Sequence, residues 1–126
     1  MIKEEQNLKA LMFKQATAFL EDAEEFFPYG TIVKTNGETV PVGVYDGNEY
    51  IESNEIIDIL EKNLSSRILD KEATLAGIGI DVIINHENEK GEEERRNALM
   101  IKTSTDGINW KEDYYLYRVE RKVVWE

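Results

Sequence analysis

From Leu8 onward apolar side chains recur at Leu8, Leu11, Met12, Ala16, Phe19, Leu20 and Ala23. Spacings of three and four residues put them on one stripe of a helix, predicted over residues 3–25. Pro28 and Gly30 end it, because a proline disfavours helical backbone at the residue before it and a glycine lets the chain turn. A strand over 31–35 is followed by Asn36-Gly37, the dipeptide of a two-residue hairpin turn, and by a returning strand over 40–45 with Val40, Val42 and Val44 in alternation. Pro41 lacks a donor and belongs on a sheet edge. Beyond Asp46-Gly47-Asn48, Ser53 is placed to cap a second helix over 54–69, with Ile56, Ile57, Leu60, Leu64 and Ile68 on one face.

After Asp70 the period changes from 3.6 to 2. Ala76, Ile78, Ile80, Val82 and Ile84 line one face of a long strand, with Gly77 and Gly79 on the other. Residues 87–95 are too polar for a core and read as an exposed connection. Strands follow over 97–103 and 109–119, and 123–125 is a short final piece. The chain reads as one α+β domain spanning 1–126. Its order is helix-strand-strand-helix-strand-strand-strand, expected to form an antiparallel sheet of about five strands with two helices on one face. That order is similar to profilin-like and Roadblock-type modules, a likeness of fold that carries no function.

Composition narrows the partners. The 126 residues hold 26 acidic and 15 basic side chains, a formal charge of −11, which opposes binding to nucleic acid or an anionic membrane. Cysteine is absent, which excludes disulfides, thiolate nucleophiles and zinc–thiolate sites. The polar first residues and the lack of a long apolar run predict a cytoplasmic protein.

Candidate chemistry is sparse. His86 is the single histidine and ends the long strand. Ser53, Ser65, Ser66 and Ser104 lie outside any nucleophile elbow. Gly77-Ile78-Gly79 leads into more strand rather than a helix, so it marks a bulge or the close approach of a covering helix, not a dinucleotide cradle. Asp46, Asn48, Glu49 and Glu52 lack the spacing of a calcium loop. No metal, cofactor or catalytic residue is expected. Asp81 interrupts an apolar strand and, if covered, needs a partner such as Lys102 or Arg118.

Charge is distributed unevenly. Ten acids between Glu21 and Asp58 face Lys34 alone, a local sum of −9. Aromatic residues are interleaved with them, and an acidic rim with aromatic anchors steers a basic protein partner. Tyr29, Tyr45, Glu49, Tyr50 and Glu52 are the candidate contacts. The first functional reading is therefore a protein-binding module of the immunity-protein kind. The alternative is a homodimer formed through Trp110, Tyr115 and Tyr117 on an uncovered sheet face. A third is a small-ligand binder or enzyme with a pocket between the second helix and the sheet, using His86 or Asp81.

The run Glu25-Phe26-Phe27-Pro28-Tyr29-Gly30, followed by Asn36-Gly37, Pro41-Val42 and Tyr45-Asp46-Gly47, resembles a family of small uncharacterised bacterial proteins with a Phe-aromatic-Pro-aromatic-Gly turn after an N-terminal helix. The resemblance covers about residues 8–65 and implies a shared turn and its packing, with no activity.

Overall fold

A computed structural model describes residues 2–23, 26, 28–42 and 53–126. Two helices, α1 (Ile2–Ala23) and α2 (Ser53–Leu69), accompany six strands: β1 (Tyr29–Lys34), β2 (Thr39–Val42), β3 (Ala73–Glu87), β4 (Glu93–Ser104), β5 (Lys111–Val119) and β6 (Val123–Trp125). The strands form an antiparallel sheet in the order β2-β1-β3-β4-β5-β6. The α+β class and the antiparallel sheet agree with the sequence pattern. The final segment adds a sixth strand, pairing Tyr117 with Trp125. Pro41 lies on the edge strand β2.

The helices sit on opposite faces of the sheet, where one shared face was expected. Alternate residues of single strands decide this. On β1, Thr31 donates to Gln15 of α1, whereas a Cβ on the preceding Gly30 would meet Leu60 and Leu64 of α2. Leu8, Met12 and Ala16 of α1 pack with Tyr29, Val33, Leu75, Leu99 and Ile101. Ile56, Leu60 and Leu64 of α2 pack with Ile32, Ala76, Ile78 and Ile80. Coverage from both sides makes β1 buried along nearly its whole length and β3 buried from Leu75 to Ile80. Removing each large aliphatic side chain from water contributes roughly 1.5–3 kcal/mol, so two cores of this kind favour the sandwiched arrangement over a single layer.

The glycine pair on β3 supplies the clearance. A Cβ on Gly77 would stand 2.7 Å from the Met12 sulfur and 2.8 Å from a Leu8 methyl, and one on Gly79 would collide with the Tyr29 ring. Close approach of a covering helix is therefore the reading of Gly77-Ile78-Gly79 that the packing supports. The Asn36-Gly37 turn is longer than the two-residue form. Gly37 N–H donates to Lys34 O, and only Gly37 has positive φ, so residues 35–37 form a three-residue loop of the type-I-plus-bulge kind.

Candidate functional site

Register and helix direction bring the acidic ends of the two helices to one end of the sheet. The first turns of α1 lie beside the start of β5, where Lys9 donates to Asp113 at 3.1 Å. Thr17, farther along, accepts from Trp125 Nε1 of β6. α2 runs the other way along β3, since Leu60 and Leu64 cover Gly30 while Ser65, in its later turns, lies against Gly107. The C-terminal turn of α1, with Glu21 and Asp22, and the N-terminal turns of α2, with Glu55 and Asp58, thus point to the end from which residues 81–87 of β3 extend. All four are exposed. None takes part in an ion pair among the described residues.

Six basic side chains are committed to ion pairs among the described residues. Arg96 pairs with Glu94 and Glu126, Arg67 with Glu72, Arg118 with Glu120, and Lys102 with Glu61. Lys9 is held by Glu5 and Asp113. Burial works against its charge, and hydrogen bonds to Tyr115 and Asp113 outweigh that cost, so its ammonium is held above the usual lysine range. Glu21 and Asp22 lie at a helix C-terminus with no basic residue in the last turn, where the helix dipole disfavours negative charge. Glu38 departs from the grouping. It follows the β1–β2 turn at the opposite end, since Val33 pairs with Thr39 and with Leu75.

The aromatic candidates fare unevenly. Tyr29 is a core residue, 8% exposed. Its hydroxyl donates to Met12 O at 2.7 Å, and its ring packs edge-on against Phe19 and Phe26. It therefore wedges the end of α1 against the sheet and presents nothing to a partner. Tyr45, Glu49, Tyr50 and Glu52 lie outside the described residues, as do Glu24, Glu25, Phe27 and Asp46.

The proposed dimer face is not an uncovered one. Tyr115 packs edge-on against Phe13 of α1 at 4.8 Å, and Tyr117 is 2% exposed. Both share the α1 face because Leu99 opposes Tyr115 in the register. Trp110 precedes β5 and packs on the α2 cluster. The exposed tyrosine of β5 is Tyr114, on the other face. Strand phase decides the difference: the run Tyr114-Tyr115-Leu116-Tyr117 carries aromatic residues on both faces.

Asp81 also differs from expectation. It accepts from the Tyr117 hydroxyl at 2.5 Å. Lys102 and Arg118 occupy the opposite face, opposing Ile78 and Val124 in the register. His86, five residues from Asp81 along the same strand, falls on the opposite face from it, so the two do not converge. Among the described residues no three His, Asp or Glu side chains are grouped as metal ligands, and no helix is long and apolar enough to cross a membrane.

One concavity was not anticipated. A cavity of about 340 Å³ opens where the first turns of α1 meet the connection from β4 to β5, lined in part by Glu5, Thr103, Thr105, Asn109, Trp110 and Lys111. The connection is held firmly. Asp106 accepts from the backbone N–H groups of Ile108 and Asn109 and from Asn109 Nδ2, while Ser65 of α2 donates to Gly107 O. Those donors keep the Asp106 carboxyl well below the usual aspartate range. The break between the strands over 97–103 and 109–119 is legible in the sequence; the bonded loop around Trp110 is not, because the partners Ser65 and Glu5 are far away in the chain.

Comparison with protein-family models, with curated proteins and with solved structures finds no match to this chain.

Proposed function

We propose that this protein is a non-catalytic module of the cytoplasm that binds a basic protein, in the manner of an immunity protein neutralising its toxin. The observation that carries the reading is the placement of Glu21, Asp22, Glu55 and Asp58: two helix ends, from opposite faces of one sheet, direct exposed carboxylates, without ion-pair partners among the described residues, to the same end. Their fields add in front of that end and raise the encounter rate with a cationic surface. At that end Arg96 and Arg118 are tied into pairs with Glu94, Glu126 and Glu120, while the exposed Arg95, Arg121 and Lys122 offset part of the field.

The test uses the intact chain and a variant carrying Glu21→Lys, Asp22→Lys, Glu55→Lys and Asp58→Lys. A basic protein captured from a cell extract by the wild type at low salt is purified, and its association rate is followed as salt is raised. The expected result is a rate that falls steeply with salt for the wild type and is slower and flatter for the variant. A salt-independent rate, or equal rates for the two proteins, overturns the reading.

A further inference from the structure

We propose that the cavity between the first turns of α1 and the β4–β5 connection is a binding site for a neutral polyhydroxylated ring, a sugar. Three independent features converge on that chemistry. The first is the aromatic wall. Trp110 is only half-buried, and Lys102 Nζ lies 6.0 Å from the centre of its ring. An indole flanking an open cavity offers an apolar surface to the C–H face of a sugar ring.

The second feature is electrical neutrality in a protein of charge −11. The charged lining residues are Glu5 and Lys111, which pair at 3.5 Å, and beside them Lys9 pairs with Glu5 at 3.4 Å and Asp113 with Lys111 at 3.7 Å. The one anion and one cation of the lining cancel, so neither a phosphate nor an ammonium group finds an uncompensated counter-charge there. The remaining polar side chains of the lining are Thr103, Ser104, Thr105 and Asn109; Ser104 Oγ and Asn109 Nδ2 donate to Asp106, which leaves the two threonine hydroxyls and the Asn109 carbonyl oxygen. Together these groups both donate and accept, as the hydroxyls of a sugar require.

The third feature is rigidity. Asp106 and Ser65 fix the connection through hydrogen bonds of 2.7–2.9 Å, and Gly107, at φ 78°, approaches Ser65 so closely that a Cβ would stand 3.1 Å from its backbone. A loop ordered before binding loses little freedom when a ligand arrives. The volume of about 340 Å³ is at the lower end of small-molecule sites, roughly 300–1,000 Å³, and suits one ring rather than a long chain. This site lies at the opposite end of the sheet from the acidic helix ends, so it stands apart from the proposed protein-binding surface.

The experiment follows the two tryptophan indole N–H resonances by NMR, assigned with Trp110→Phe, while methyl glycosides of glucose, galactose and N-acetylglucosamine are added to millimolar concentration. Glycerol, glucose 6-phosphate and glucosamine are the comparison probes. The expected result is a saturable shift of the Trp110 resonance with at least one neutral glycoside and none of the comparison probes, and a steady Trp125 resonance. Thr105→Arg, at an exposed position, fills the cavity without disturbing the core and is expected to weaken binding by about tenfold or more. No shift with any glycoside, an equal shift with glucose 6-phosphate or glucosamine, or unchanged binding by a folded Thr105→Arg protein overturns the proposal.

Discussion

At the scale of single residues, the glycines of β3 and one lysine bear more of the fold than their chemistry suggests. Gly79→Ala forces a methyl into the ring of Tyr29, which is buried and anchored by its hydroxyl. Gly77→Ala meets instead the flexible ends of Met12 and Leu8. Overpacking costs about 1–3 kcal/mol, and urea unfolding is expected to place Gly79→Ala at the upper end and Gly77→Ala at the lower. Lys71, with φ 62°, is the one described non-glycine residue with positive φ. It follows α2 where Glu72 N–H returns to Arg67 O, a position that glycine occupies without strain. Lys71→Gly is therefore expected to stabilise the protein by about 0.5–1 kcal/mol, read as a higher denaturant midpoint. Tyr29 provides the pH test. Burial pushes its phenol above the usual tyrosine range, so the neutral form is favoured in the folded state. The resulting stability is complete below about pH 10 and is lost as pH rises beyond it. Tyr29→Phe is expected to lose about 0.5–1.5 kcal/mol at neutral pH with the hydrogen bond to Met12 O, and to show a shallower alkaline decline than the wild type.

Elements behave as units whose placement depends on neighbours remote in sequence. The stripe from Leu8 to Leu20 sufficed to place α1, and the change of period after Asp70 sufficed to place β3, because both signals are local. Which face each helix covers was not local. Ile32 and Val33 are adjacent apolar residues on β1, and only the pairing of β1 with β3 shows that one faces α2 and the other α1. A trace of this was present in the strand itself: Ala76 and Ile78 on one face and the paired glycines on the other describe a strand with a cover on each side. The β4–β5 connection is the other element defined by remote partners, and its Asp106 makes a pH prediction. Because the folded-state carboxyl is held below its usual value by the backbone donors of Asn109 and Ile108, its stabilising effect is present above about pH 4 and fades as pH falls below it. Thermal unfolding of wild type and Asp106→Asn should differ at neutral pH and converge in acid. A constant difference across that window would remove the carboxylate from the account.

For the molecule as a whole, charge sets stability and recognition against each other. The excess of eleven negative charges repels itself in the compact state. Salt weakens that repulsion, but it also weakens the ion pairs of Lys9, Arg67, Arg96, Lys102, Lys111 and Arg118. Exposed pairs contribute roughly 0–1 kcal/mol each, and every cation in them has its anion close by, inside the screening length of about 8–10 Å at moderate salt. Repulsion among unpaired carboxylates acts over longer separations, so screening removes more repulsion than attraction. The melting temperature is therefore expected to rise with sodium chloride, whereas association with a basic partner slows over the same range. Glu21→Lys with Asp22→Lys joins the two effects at one place. Reversing charge at the C-terminus of α1 agrees with the helix dipole and should raise the melting temperature, while the same change slows association. A double variant that melts lower than the wild type would mean that these carboxylates hold the fold together, and the acidic end would then have a structural reason to exist without any partner.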